Sequence, residues 1–424
     1  MILADHLYGA VVVPDWLLPV LLSPEVQRLR GVRLINTTSP SCAALSDVRR
    51  FTHSVGVYFL ASRLAERISG HCPQEQLRAF LVASLVHDIG TPPFGHLFEY
   101  QLSLSTGWHH ERVVSDVIRG NYRPERRYHQ IYYANALRLH HVLKENRVDA
   151  ELVMAMVRGE GELGRLLTGS IDLDNIDTVF RMASLLGLLP DRKTPLDLAD
   201  SVAIEPCGIV YSEAALPLVD TWRQLRRQVY EVLVFDNWCL SGQAMLTQCL
   251  VAALERKLLG EEHWFLTDEG LLDRLFEHDE IKESIRRFSA GDYFDVLFVG
   301  WYAGPRKGPD LRHPSARRQI SRALTERTGL PCCPYVFYDH GAFSKKLVLN
   351  VATASGTSTV TIGATSESTV VAITTPHRIR NERRSLVGHV LEVLEDNGLA
   401  RSSLLRIPEK EDIYELPRQG KLPF

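Results

Sequence analysis

The chain lacks an excess of either charge sign, a paired CxxC, an internal repeat of fixed period, and an apolar run of about 18 residues able to cross a membrane. Its 48 Lys and Arg stand against 51 Asp and Glu, a formal net charge of −3. That balance exerts no global pull on nucleic acid or on an anionic membrane and favours a small anionic ligand over a long polyanion. The cysteines Cys42, Cys72, Cys207, Cys239, Cys249, Cys332 and Cys333 are odd in number and scattered. They read as thiols of a reducing cytosol and exclude a zinc finger. The N-terminal MILADHLYGAVVVPDWLLPVLLS is apolar, but it has no basic n-region and is cut by Pro14, Asp15 and Pro19. It is expected to be a buried strand and helix start, so the expectation is a cytoplasmic protein without a membrane partner.

What is present is enough apolar material for a large core: 45% hydrophobic residues in 424, consistent with one main domain and a second lobe. From about residue 20 to 260 the periodicity is helical. HSVGVYFLASRLAERI puts Val57, Leu60, Leu64 and Ile68 on one face, and QLRAFLVASLVHDIG does the same before Gly90 and Pro92 stop it. NIDTVFRMASLLGLL and TWRQLRRQVYEVLVFDNW continue the pattern. Beyond about residue 330, KKLVLNVAT and the pair STVTIGAT and STVVAITT around a TSES turn read as strands. RRSLVGHVLEVLEDNG reads as a helix closed by Gly398. The expected fold is mainly α, with a helical core over residues 1–300 and a C-terminal α+β lobe over 301–424. Residues 306–318 form the best linker or loop candidate. The basic segments RPERRYHQ (123–130), LRRQ (225–228), RHPSARR (312–318) and PHRIRNERR (376–384) are expected to be mostly solvated faces. The first is the best candidate among them for a phosphate contact.

Chemistry concentrates in three stretches: His53 in RRFTHS, His87-Asp88 in VHDIGTPPFGH, and Asp174 in GSIDLDNID. Two imidazoles and two carboxylates form a mixed nitrogen and oxygen set suited to a divalent cation acting on phosphate. A His-Asp dipeptide alone carries no weight, because the 16 histidines include a second such pair, His278-Asp279, without that context. A lone histidine is more often a satisfied core or surface group, which is the reading for His71, His140, His141, His278 and His389.

With DHLYGAVVVP, VQRLRGVRL, RRFTHSVGV, HDIGTPPFGHLFE, GWHHE and IDLDNID taken together, the chain resembles the HD-superfamily phosphohydrolases. Within them it is similar to the deoxynucleoside triphosphate triphosphohydrolases. The motifs span roughly residues 5–275, with LTDEGLLDRL only suggestive. The resemblance implies an HD-domain helical core in which His53, His87, Asp88 and Asp174 hold one divalent metal ion: Mn, Fe, Mg, Co, Ni or Zn. It places His96, Glu99 and His110 in the catalytic pocket and brings Arg50 to the phosphate nearest the sugar. His96 or His110 could donate a proton to the leaving oxygen, or be structural; Glu99 could orient a histidine; Arg50 could instead pair with Asp47.

Departures from the family pattern fall on substrate readers. Thr91 replaces a third motif histidine, Leu34 stands where a glutamine inspects the sugar, and Asn175 and Thr178 replace a phosphate-binding lysine and a sugar-stacking tyrosine. Gln27 and Arg30 echo an allosteric nucleotide site, but Leu22 replaces the acid that reads a base there. The expected substrate is a small phosphorylated compound, a dNTP cleaved to nucleoside and triphosphate being the leading class. The alternatives are another phosphate ester (a phosphomonoester, cyclic nucleotide or nucleic-acid end) and a non-enzymatic nucleotide sensor or interaction module. The resemblance also implies a homo-oligomer.

Overall fold

The N-terminal apolar segment folds back on itself, giving a hairpin where one strand is expected. β1 (Ile2–Asp5) pairs antiparallel with β2 (Gly9–Val12), Ile2 opposite Val12. The turn closes because the Asp5 carboxylate accepts from the Leu7 and Tyr8 amides, at 2.8 and 3.0 Å, and Gly9 supplies a φ of +78°. The computed structural model describes residues 1–36, 39–122, 137–169, 171–205, 208–304, 310–379 and 383–406. The segment RPERRYHQ lies outside the described residues.

Helices then follow as their apolar spacing requires. After α1 (Pro24–Arg28) come α2 (Arg50–Ile68), α3 (Gln74–Val86), α4 (His96–Thr106) and α5 (His110–Arg119). α6 (Leu173–Leu185), α7 (Ala215–Phe235) and α8 (Asn237–Glu255) complete the part that positions the site. α2 buries Val57, Leu60, Leu64 and Ile68 and packs on α3 and α6. α6 starts where Asp172 caps it, its carboxylate accepting from the Asn175 amide at 2.6 Å. His53 therefore lies in the first turn of α2, His87 at the end of α3 and Asp174 in the first turn of α6.

Strands from both sides of residue 300 share sheets. One sheet has the order β3 (Val202–Glu205), β4 (Gly208–Ser212), β7 (Leu347–Thr353), β8 (Gly356–Ile362). The other has the order β10 (Leu404–Arg406), β5 (Asp295–Ala303), β9 (Glu367–Thr375), β6 (Cys333–His340). The two segments around the TSES turn are strands, but they enter different sheets. β8 pairs with β7, Ile362 opposite Leu347, as an exposed threonine-rich edge. β9 is buried at every position after Glu367 and lies between β5 and β6, as a run without polar alternation requires. One apolar core runs from the helices into these sheets through Phe343, Leu347 and Val370, so the C-terminal lobe is packed onto the helical part. A smaller core lies between the second sheet and two helices, α9 (Pro314–Thr328) and α10 (Arg383–Asp396).

The stretch 306–318 is only partly a loop. Residues 305–309 lie outside the described residues, but Pro314 opens α9, whose Ala316, Ile320 and Leu324 are buried. Among the basic segments, Arg312 pairs with Asp310 at 3.0 Å, Arg318 with Glu255 at 2.5 Å and Arg378 with Asp295 at 2.8 Å. These are the solvated, neutralised faces expected of such runs.

Candidate metal centre

His53, His87 and Asp88 offer ligand atoms within 4.8 Å of one another. His53 Nε2 lies 3.2 Å from His87 Nε2, and Asp88 Oδ2 is 3.7 and 3.6 Å from those two nitrogens. From α6, Asp174 Oδ1 reaches His53 Nε2 at 3.0 Å and His87 Nε2 at 4.0 Å.

The other ring nitrogens decide what these four atoms can bind. His87 Nδ1 is 2.9 Å from the Ser84 carbonyl oxygen, which can only accept, so His87 Nδ1 carries the hydrogen. His53 Nδ1 is 2.7 Å from Asp177 Oδ2, a carboxylate that likewise accepts a hydrogen bond from the ring N–H. In the neutral rings both Nε2 atoms are then lone pairs facing two carboxylates. Four electron-pair donors converge with no hydrogen between them, an arrangement that fits a cation and is otherwise repulsive. The electrostatics agree: burial alone lowers the His53 pKa, yet Asp174 and Asp177 outweigh it and raise it to about 10. Without a metal, a proton takes the cation's place. Burial likewise works against the Asp88 carboxylate, but Arg50, His87 and His53 hold its pKa well below the ordinary carboxylate range.

Of the remaining predicted residues, Arg50, His96 and His110 line the same cavity, of about 590 Å³, together with Asp174. Arg50 is buried and donates to Asp88 Oδ2 at 2.8 Å, so its partner is a member of the donor set and not Asp47. Gly95, at φ +51°, makes room for it: a Cβ there would lie 2.9 Å from Arg50 Nη2. Glu99 is not on the wall. Its two oxygens take His96 Nδ1 at 2.9 Å and His110 Nδ1 at 2.5 Å. Burial opposes both charges of the Glu99–His110 pair. Their hydrogen bond wins, lowering the Glu99 pKa and raising that of His110. His96 is 69% exposed at its side chain and His110 29%, so His110 is the more enclosed of the two. Thr91, in place of a motif histidine, is buried and donates to Asp88 Oδ1 at 3.1 Å. Gln27 and Arg30 are not on this wall.

Several residues not singled out from the sequence support the site. Arg181, fully buried, donates to both Asp177 oxygens, at 2.8 and 2.9 Å, and to Asp5 Oδ2 at 2.9 Å. The DHLYG segment is thereby tied to the histidine that faces the metal position. Gly56, one turn after His53, lets this pair approach, because a Cβ would fall 2.0 Å from Asp177 Oδ1. Arg28 donates to the Ile89 and Thr91 carbonyls at 2.8 and 2.7 Å, holding the turn after Asp88. Asp268 accepts from the Phe94 amide at 2.8 Å, where Phe94 has φ +53°. The signal available in advance was spacing: Asp174, Asp177 and Arg181 fall at i, i+3 and i+7 on one helix face.

Residues 50–182 match the family model for the HD domain. This segment is an HD domain. It spans the donor set from Arg50 through the first turns of α6. The chain is 32% identical over 160 residues to the deoxynucleoside triphosphate triphosphohydrolase SAMHD1 homolog of Dictyostelium discoideum, covering 30% of each chain. It is 24% identical over 257 residues to an uncharacterized protein of Mycoplasma pneumoniae, covering 57% of this chain and 58% of that one. The chain thus spans less than two thirds of the length of these curated relatives. A solved phosphohydrolase from Bacteroides thetaiotaomicron has the same fold, with a TM-score of 0.65 over 88% of this chain and 99% of that chain, at 14% identity. The HD domain and its donor set identify the cofactor class as a divalent metal ion. Among the described residues no helix is long and apolar enough to cross a membrane.

Proposed function

We propose that the protein is a metal-dependent phosphohydrolase acting on nucleotides, with dNTPs, split to deoxynucleoside and triphosphate, as its principal substrates. The observation that carries the reading is the convergence of His53, His87, Asp88 and Asp174 as lone-pair donors on a cavity that also presents Arg50 and His110. Its volume of about 590 Å³ lies within the range of small-molecule sites, roughly 300–1,000 Å³. The likeness to the SAMHD1 homolog supports the dNTP class.

His53, His87, Asp88 and Asp174 would hold a divalent cation, which when bound would supply Lewis acidity toward a phosphoryl oxygen and lower the pKa of water. The chain's own groups do the rest. Arg50 places a guanidinium beside Asp88, where it stabilises charge on phosphoryl oxygens. Glu99 fixes the His110 ring through Nδ1, leaving Nε2 as the nitrogen that gives a proton to the leaving oxygen. Asp177 fixes the His53 tautomer in the same manner. The protein is expected to self-associate, which sedimentation of the purified chain with and without dNTP checks.

A second reading, hydrolysis of another phosphate ester, is favoured by Leu34, an apolar wall residue that offers a sugar no side-chain hydrogen bond. An anion-exchange product assay with Mn, all dNTPs, all NTPs and a generic phosphoester separates the two, with Asp88→Ala as control. Triphosphate and nucleoside, lost in the variant, are the expected products. Intact nucleotides with a cleaved generic ester would replace the first reading by the second.

A further inference from the structure

Arg226 departs from its neighbours on α7. Arg223 pairs with Asp220 at 2.8 Å and Arg227 with Glu231 at 3.0 Å. Arg226, on the cavity wall, has no carboxylate partner among the described residues. Among the described residues its one hydrogen bond runs from Nη1 to the amide oxygen of Asn175, at 3.4 Å, and its buried Nε has none. The guanidinium is held instead by aromatic faces, 4.7 Å from the Tyr230 ring centre and 5.6 Å from that of Trp222. Asn175 follows Asp174 directly, so this cation stands next to the metal-facing end of α6.

A second cation arrives from the C-terminal lobe. Gly341 and Ala342, between β6 and β7, line the cavity, and the same connection carries Lys345, whose Nζ is 5.9 Å from the Trp222 ring centre. Burial lowers the Lys345 pKa; Asp172 opposes that and Arg226 adds to it. Asp172 makes no ion pair with this lysine, and its oxygens accept instead from the Gly169 amide and from the amide and side chain of Asn175. Two like charges are thus held around one tryptophan beside the cavity, without a carboxylate in contact among the described residues. Such a pair costs free energy until an anion joins it, and an arginine fork beside a lysine suits phosphate oxygens.

We infer that Arg226 and Lys345 form an anion subsite that receives the phosphates of the substrate beyond the one at the metal centre, with the C-terminal lobe supplying half of it. This rests on the phosphohydrolase reading and adds the ligand class, a phosphate chain. The subsite also gives the C-terminal lobe a direct part in recognition, since its packing on the helices decides where Lys345 stands.

The test is calorimetric titration of Mn-loaded full-length protein, wild type, Arg226→Gln and Lys345→Gln, with inorganic triphosphate and, separately, with orthophosphate. Each variant is expected to lose about 10-fold or more in triphosphate affinity, the worth of one charge-assisted hydrogen bond, and under about 2-fold in orthophosphate affinity. Unchanged triphosphate affinity in both variants, or an equal loss for the two anions, would overturn the subsite. If Arg226→Gln has no cooperative melting transition, Lys345→Gln decides by the same criterion. Triphosphate binding that depends on these residues in a protein that cleaves no nucleotide supports the subsite while sinking the hydrolase reading. Cleavage with unchanged affinities does the reverse.

Discussion

Asp177 Oδ2 lies 2.7 Å from His53 Nδ1 while its carboxylate also binds the buried guanidinium of Arg181. The metal-facing nitrogen of His53 is therefore set by a residue that does not itself face the metal position. Asp177→Asn removes the charge and keeps the shape. Metal affinity is expected to fall about 10–100-fold, the usual effect of losing such a partner. Equilibrium dialysis with Mn measures it; an unchanged affinity would show that His53 needs no such support.

Gly56 gives a test by sign. In a helix interior, Gly→Ala ordinarily stabilises by about 0.5–1 kcal/mol. Here the added methyl would meet Asp177 Oδ1 at 2.0 Å and Arg181 Nη2 at 2.3 Å, so Gly56→Ala is expected to destabilise by about 1–3 kcal/mol or more. Gly70, with nothing within 4 Å of its Cβ position, is the control. Urea midpoints compare the two, and equal effects would contradict the packing described.

Asp268 restrains the turn between Asp88 and His96. It is fully buried and accepts from the Phe94 amide, from the Arg33 amide at 2.9 Å and from Arg33 Nη1 at 3.0 Å. Phe94 keeps a positive φ, which costs about 1–3 kcal/mol unless its surroundings impose it. Asp268→Ala leaves Arg33 with only the exposed Glu269 carboxylate, at 3.3 Å, and frees the turn. A loss of about 3–5 kcal/mol in unfolding free energy is expected from breaking such a buried pair.

The Glu99–His110 pair predicts a pH dependence. Burial lowers the His110 pKa, but Glu99 raises it above the ordinary value of about 6.5. The imidazolium therefore stabilises the fold below about pH 6.5, and that contribution is lost as pH rises through the raised value. If His110 gives the proton, kcat/KM falls over the same alkaline range. Glu99→Gln removes the charge that raises it, so the alkaline limb moves to lower pH. A limb that stays in place would assign the ionisation to another group.

The helical core was legible because its signals are local. The apolar face around Val57 and Leu64 and the Gly90 and Pro92 stop each act within a few residues. The segments that became β7, β8 and β9 were legible as strands, whereas β3 to β6 and β10 were not, and β8 and β9 sit in different sheets because pairing depends on burial by distant elements, which the TSES turn does not report. His53, His87, Asp88 and Asp174 stood out by motif, and the structure brings them together. Asp177 did not stand out, since a third acid beside Asp172 and Asp174 reads as one more capping or surface carboxylate until His53 is seen against it. Arg226 was hidden within a basic run whose other members are neutralised, and its exposure to the cavity depends on residues from the far end of the chain.

The central claim is that four side chains, from the first turns of α2 and α6 and from the turn that follows α3, hold one catalytic cation. Mn stoichiometry of the purified, reconstituted chain, measured alongside Asp174→Ala, tests it most directly. About one ion per wild-type chain, with affinity reduced 100-fold or more in the variant, is predicted for a site in which each ligand is direct. Less than about 0.1 ion per wild-type chain, or equal binding by the variant, would contradict the account.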